Sequence, residues 1–312
     1  MLCLDDETLE AVRDLDRPDL RSISLSALEA SCPALLDAKA DRSQVEYYFT
    51  CTPALPRYVL DHEPEATTVS YVDADLYFFA DPQVLFEELG SGSIYIIPHR
   101  YPPSLRDLNQ FGRYNVGLLT FRNDDRGRHG LDWWQQRCLE WCYEKVEPRR
   151  YADQKYLDDW PQRFEGVVVS DNLGANLAPW NLAGHDVRRE RGQVTIDGDA
   201  LVFYHFHRLK LINRFLVDPG YRKYDAPANR VVRRHIYRPY LAHLRKLSQS
   251  AAARQATSGN LRLASPAKGR ALLRTLLYDH NLLDVGPVST EVHLEPLARP
   301  LLRIRERFRA AA

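Results

Sequence analysis

Strand-like apolar runs alternate with helix-like stretches along most of this chain, and that interleaving most narrows the folds open to it. The segments "TTVSYV" (67–72), "SIYIIP" (93–98), "VGLLTF" (116–121), "GVVVS" (166–170), "VTID" (194–197) and "LVFYHFH" (201–207) are rich in β-branched and aromatic residues. Around them lie helical patterns. Asp5 and Asp6 cap a helix reaching about Asp14, "RSISL" reads as a strand, and "SLSALEAS" opens another helix. Residues 43–60 read as helical with a kink near Pro53 and Pro56, and an amphipathic helix is expected over about 129–146. With few two-residue hairpin signals between strands, the expectation is an α/β fold with a largely parallel central sheet flanked by helices.

At 312 residues and 45% hydrophobic content, the chain has enough apolar surface for one large domain with an appendage. Its 42 basic and 42 acidic residues balance, but unevenly: residues 230–312 hold 16 Lys/Arg against 5 Asp/Glu, leaving 26 against 37 before them. That asymmetry divides the chain into a domain over 1–229 and a basic, mainly helical region over 230–312, with "SQSAAARQATSGN" as a linker. Five scattered cysteines do not form the dense framework of a secreted disulfide protein, and the N-terminus reaches acid at Asp5 without a basic or apolar signal region. A reducing, cytoplasmic setting is expected, with no membrane span.

Within this frame "YVDADLYFFADP" carries the sharpest chemistry. Asp73 and Asp75 stand two residues apart at the end of a strand, so alternation turns both carboxylates to one side. Paired oxygens at that edge suit a hard divalent cation that also bridges to phosphate. The bland reading is two solvated acids before a turn, and a D-x-D tripeptide is expected about once by chance in a chain this long, so the surroundings decide.

Those surroundings resemble the GT-A-fold glycosyltransferases of family 8 and their bacterial relatives. The likeness runs through "KADRSQVEYYFTCTPALPRYVL", the D-x-D segment, "YNVGLLTFR", "YADQKYLDDWP", "GANLAPWN" and "FYHFHRLK", in order over roughly residues 39–210. It implies transfer of a sugar from a nucleotide-diphosphate donor to a saccharide or glycolipid acceptor, with retention and with Mn²⁺ or Mg²⁺ as cofactor. It further implies that Asp73 contacts the metal or the ribose, that Asp75 and His205 bind the metal, and that Lys39 and Arg42 face the donor diphosphate. Asn115 and Gly117 would line the sugar pocket, Asp153 and Gln154 would sit beside the transferred sugar, and Trp180 and Asn181 would belong to the acceptor or sugar pocket. By analogy the setting is surface polysaccharide or lipopolysaccharide assembly.

Two departures qualify the resemblance. "MLCLDDETLEAV" resembles the relatives' second strand, so about 30 residues, one strand-helix unit, are expected to be absent. In "HFHRLK" and the residue after it, the family's Gly and Lys, three and six residues after the His, are Arg208 and Leu211, which leaves Lys210 as the candidate phosphate contact. Each site residue also has a structural reading: His205 and His207 as ordinary strand histidines, Asp153 and Gln154 as helix caps, Trp180 and Asn181 as packing and a turn. Cys138 and Cys142, one helical turn apart, read as buried thiols, and Trp133, Trp134 and Trp141 as core. The rival functions are sugar-nucleotide pyrophosphorylase chemistry, which would want a Gly-rich phosphate loop, and a degenerate non-catalytic relative that binds a partner. The Arg-rich helix over 230–246 offers peripheral contact with an anionic membrane at its inner face, against a solvated or acid-partnered helix as the simpler alternative. No base-reading module accompanies the charge, so nucleic acid is not an expected partner.

Overall fold

In the computed structural model the described residues are 1–211, 216–227, 229–248 and 283–284. The chain begins with β1 (Leu2–Cys3), α1 (Asp6–Arg13), β2 (Ile23–Ser24), α2 (Leu25–Ser31) and α3 (Ala34–Asp41), with β1 and β2 paired in parallel. The Asp5 carboxylate accepts from Thr8 N–H and caps α1. Next comes α4 (Gln44–His62), opened by a capping box between Ser43 and Glu46. Pro53 and Pro56 lie inside α4 and remove the amide bonds that the carbonyls of Phe49 and Thr52 would otherwise accept. This interrupted stretch is the part of α4 that borders the cleft described below.

The central sheet contains β3 (Thr68–Val72), β5 (Ile94–Pro98), β6 (Tyr114–Arg122) and β7 (Val167–Val169), in the order β3-β6-β5-β7. Between β3 and β5 lie β4 (Leu76–Phe78) and α5 (Gln83–Leu89), and between β6 and β7 lie α6 (Asp125–Glu140) and α7 (Trp160–Arg163). The α/β class holds, but the sheet is mixed rather than largely parallel. β6 runs antiparallel to both β3 and β5, and only β5–β7 is parallel. Alternating apolar and helical segments specify burial and layering, whereas strand direction depends on how each connection crosses the sheet. Strand β6 is buried along nearly its whole length. One face, with Ile94, Ile96, Leu119 and Phe121, packs on Trp134 and Trp160; the other, with Tyr95, Ile97 and Leu118, packs on Leu85 and Phe203.

After β7 come β8 (Val187–Glu190), β9 (Gln193–Ile196), β10 (Asp199–Ala200) and β11 (Phe203–His205). They precede β12 (Lys210–Leu211), β13 (Leu216–Asp218), α8 (Arg230–Val232), α9 (Arg238–Ser248) and β14 (Leu283–Asp284). A π turn over Arg233–Tyr237 joins α8 to α9. Val232, Ile236, Tyr237 and Leu241 from this helical stretch pack with Tyr204, Phe206 and Val217 in a second core, so residues 230–248 are docked against the body. The expected linker lies almost entirely outside the described residues, as does most of the chain after 248.

The α6 helix starts and ends earlier than its sequence pattern predicts. Asp124 caps it by accepting from Gly127 N–H, and at its other end Arg42 takes the carbonyls of Cys138 and Leu139 at 2.9 and 2.6 Å. Cys138 and Cys142 are fully buried free thiols, and burial pushes the Cys138 thiol well up. Trp134 is buried, while Trp133 and Trp141 pack at the edge of the core under Arg163 and Arg150.

Candidate functional site

Strand β3 does not continue through the D-x-D segment. It stops at Val72, and Asp73–Leu76 form a turn closed by Leu76 N–H to the Asp73 carbonyl at 3.2 Å. The turn is anchored on β6, because Asp73 N–H donates to the Gly117 carbonyl at 2.8 Å. Both carboxylates thus converge through a turn rather than through strand alternation. Chain continuation as β4 pairs with β11 antiparallel, setting Leu76 opposite His205, and Phe206 N–H donates to the Asp75 carbonyl at 2.8 Å. This register brings the His205 Nε2 to 3.0 Å from Asp75 Oδ1 and 3.8 Å from Asp73 Oδ2.

Gly117 makes room for that histidine. A Cβ on Gly117 would lie 2.7 Å from the His205 ring carbon Cε1 and 2.6 Å from Asn115 Oδ1. The His205 ring is further braced edge-to-face by Trp180, 5.0 Å between centroids, and its buried Nδ1 has no hydrogen-bond partner. Trp180 also meets His207 at 5.3 Å. Asp75, His205 and His207 each offer a ligand atom, all within 4.8 Å of one another. Burial pushes the His207 pKa down to about 4, aided by His205, so its lone pair is free at neutral pH. Burial raises the Asp75 carboxyl, but the His205 hydrogen bond and charge outweigh it and the net direction is down. One carboxylate oxygen with two imidazole nitrogens is a donor set that suits Mn²⁺ or a similar first-row ion.

Asp73 faces a different environment. Its Oδ1 accepts from Tyr71 Oη at 2.7 Å, and burial raises its pKa despite His205 and Tyr71. Deeper lies Asp153, 5% exposed, whose pKa is pushed up to about 7 by burial first and then by Asp73. Asp153 caps no helix: its backbone carbonyl accepts from Trp134 Nε1 at 2.8 Å, and the preceding Ala152 is held at φ 46°. Gln154 donates from Nε2 to the Phe111 carbonyl at 2.9 Å. Two carboxyls with pKa values pushed upward beside a third pushed down is the separation that acid–base and electrostatic roles require.

These groups line a cleft of about 440 Å³ that also includes His99, Tyr101, Asn115, Arg208, Lys223 and Tyr224. Trp180 lines it too, whereas Asn181 sits behind the wall, where its amide donates to the carbonyls of His99 and Asn176. Lys39 and Arg42 are elsewhere. Lys39 pairs with Glu29, and the Arg42 side chain is 2% exposed and spent on Thr50 and the end of α6. Lys210 is exposed and outside the cleft lining. The cations that do border the cleft, Arg208 and Lys223, carry no local sequence signal except that Arg208 stands where the resemblance calls for glycine. A separate cleft of about 570 Å³ between α6 and α7 shares none of these residues; of its five cations, Arg137, Arg150, Lys155 and Arg163 are matched to carboxylates and Arg149 is not.

No protein-family profile matches the chain. It is 32% identical to "Uncharacterized protein YfnD" of Bacillus subtilis over 251 residues, 79% of each chain, and 34% identical to "Uncharacterized protein YfnF" of the same organism over 222 residues, 68% of this chain and 72% of that one. Among solved structures it is similar to the galactosyltransferase LgtC in complex with donor and acceptor sugar analogues (TM-score 0.43, 18% identity, 66% of this chain and 78% of that one). It is also similar to mouse xyloside xylosyltransferase 1 (TM-score 0.40, 16% identity, 66% and 83%).

Proposed function

We propose that this chain, which belongs to the family of the Bacillus subtilis proteins YfnD and YfnF, is a GT-A-type, metal-dependent glycosyltransferase. It would move a sugar from a nucleoside-diphosphate donor to a saccharide or glycolipid acceptor on the cytoplasmic side of the cell, with retention at the anomeric carbon. The observation that supports this reading is the convergence of Asp73, Asp75, His205, His207 and Asp153 in one cleft from separate stretches of the chain.

In the proposed reaction the bond from the anomeric carbon to the phosphate oxygen breaks, with its electron pair going to the departing diphosphate. The acceptor hydroxyl forms the new bond, and its proton passes to that phosphate oxygen. Asp75, His205 and His207 would hold a divalent ion, which supplies positive charge to the phosphate oxygens as they become more negative. Asp73 presents its carboxylate beside these ligands, positioned by Tyr71. Asp153 and Gln154 border the same space, where a buried carboxyl and an amide dipole face the sugar as positive charge develops on its ring.

Thermal unfolding against a panel of nucleoside diphosphates, with and without Mn²⁺, tests the proposal. One nucleotide with Mn²⁺ is expected to raise the midpoint by a few degrees, about 2.7 kcal/mol at 100 times its dissociation constant, and Asp75→Ala is expected to abolish the shift. No shift with any nucleotide would remove the donor-site reading.

We propose a second contact on the ground of charge. Arg230, Arg233, Arg234 and Arg238 project from the docked helical stretch, and among the described residues none lies within ion-pair distance of a carboxylate, although the rest of the chain is acidic. Of the simpler alternatives, the described residues display the solvated helix and not the acid-partnered one. No helix among the described residues is long and apolar enough to cross a membrane. We read this face as one that rests on anionic lipid.

A further inference from the structure

We infer that Arg208 and Lys223 form an oxyanion-binding pair at the mouth of the cleft, placed to take the diphosphate of the donor. The identity of the ligand rests on the glycosyltransferase reading; the anion site itself rests on geometry.

Arg208 occupies the third position of the turn Phe206–Leu209, which is closed by Leu209 N–H to the Phe206 carbonyl at 3.0 Å. Its φ is 63°, in the left-handed region where this position of a turn favours glycine. An arginine held there is strained, and strained residues that persist beside a cleft direct attention to what their side chains do. The turn is braced from the other side by Gly220, itself at φ 73°. A Cβ on Gly220 would lie 2.9 Å from Arg208 Cβ, so the two backbones pack closely at this point. Gly220 begins the short helical turn Tyr221–Tyr224 that carries Lys223. Two chain segments thus meet at one contact and direct one cation each into the lining of the same cleft.

Neither cation has a carboxylate within 4 Å among the described residues, unlike Lys155, Arg137 and Arg163 around the other cleft. They feel each other instead: the Lys223 pKa is lowered by burial first and then by Arg208, with only Glu144 opposing. Glu144 lines the same cleft but makes no ion pair with either, and two like charges held together without such contact are an arrangement that an anion completes. The guanidinium offers a planar fork for two phosphate oxygens and the ammonium a compact charge. Both share one cleft lining with the carboxylate and imidazole set, and Arg208 directly follows His207 in the chain. A ligand with two adjoining phosphoryl groups matches that layout, one group near Asp75 and His205 and the other at the cationic pair.

Titration calorimetry with inorganic pyrophosphate, first without divalent metal and then with Mn²⁺, tests the assignment. Without metal, wild type is expected to bind, and Arg208→Gly and Lys223→Ala are each expected to weaken binding by about tenfold or more. Arg208→Gly should unfold at no lower temperature than wild type, because glycine suits the turn, so lost binding cannot be ascribed to lost folding. Arg188→Ala, a surface cation paired with Asp186, should leave binding unchanged. Equal affinity in wild type, Arg208→Gly and Lys223→Ala, or no binding by wild type, would overturn the anion pair. The Mn²⁺ arm reads the other proposal separately: tightening lost in Asp75→Ala upholds the metal cleft. Absence of tightening counts against the metal while the pair stands on its metal-free result.

Discussion

His99 is a buried imidazole in the wall of the cleft, and three neighbours hold it. Gly117 N–H donates to Asn115 Oδ1 at 3.0 Å, which orients the amide so that Asn115 Nδ2 faces His99 Nε2 at 3.3 Å. The His99 carbonyl accepts from Trp180 Nε1 and Asn181 Nδ2, each at 3.0 Å. Burial drives the His99 pKa down to about 3. An unfolded histidine titrates near 6.5, so below that pH the unfolded chain binds a proton that the folded chain refuses. Stability therefore rises with pH across this window and is lost as pH falls from about 6.5 toward about 3. Between pH 7 and 4 the loss attributable to this residue is about 3 kcal/mol. Urea unfolding of wild type and His99→Gln at both pH values should show a smaller acid loss in the variant; an equal loss would contradict the assignment. His99 was not legible in the sequence, since a single histidine after a strand has no pattern. Asp75 and His205 stand out in the sequence only through the resemblance, since a D-x-D spacing recurs by chance and a strand histidine is ordinary; the structure brings the two side chains to 3.0 Å. Arg208 and Lys223 acquire their meaning only when two distant turns pack together.

One side chain closes the end of α6. Arg42 Nη1 donates to Thr50 Oγ1 and the Cys138 carbonyl, and Nη2 to the Leu139 carbonyl, so one guanidinium joins the last turn of α6 to α4. Arg42→Leu leaves those carbonyls buried without a donor and should cost about 2–4 kcal/mol in a urea titration. The nucleotide-dependent thermal shift should survive, because Arg42 does not border the cleft. A variant of unchanged stability that loses nucleotide binding would return Arg42 to the donor site. This long-range cap also explains why the helical pattern to residue 146 overshoots: a periodic run continues in sequence after its carbonyls have been claimed from elsewhere. Likewise β4 was unreadable as a separate strand. Three residues of Leu, Tyr and Phe look like a continuation of β3, and only the turn at Asp73–Leu76 separates them.

At the scale of the molecule, charge is divided between an acidic body and a basic helical stretch docked on it through Val232, Ile236, Tyr237 and Leu241. Because its apolar side is already occupied, lipid contact would fall to the outward arginines and be electrostatic, hence salt-sensitive. Co-sedimentation with vesicles of anionic phospholipid should fall when Arg233, Arg234 and Arg238 are changed to Glu, and in high salt. Unchanged sedimentation of the triple variant would dismiss the membrane reading. The charge asymmetry was visible in composition, but which side of the helix stays outside required the packing.

The β4–β11 pairing has a consequence for how the protein is made. Asp75 and His205 come from opposite halves of the chain, so a ribosome delivers the acids well before their histidine. At roughly 5–20 residues per second that interval is on the order of ten seconds. Over that time a nascent chain displays the Asp73 and Asp75 carboxylates without the imidazoles that complete the set. The contact between Asp75 and His205 is therefore made on a chain whose four central strands have already been synthesised.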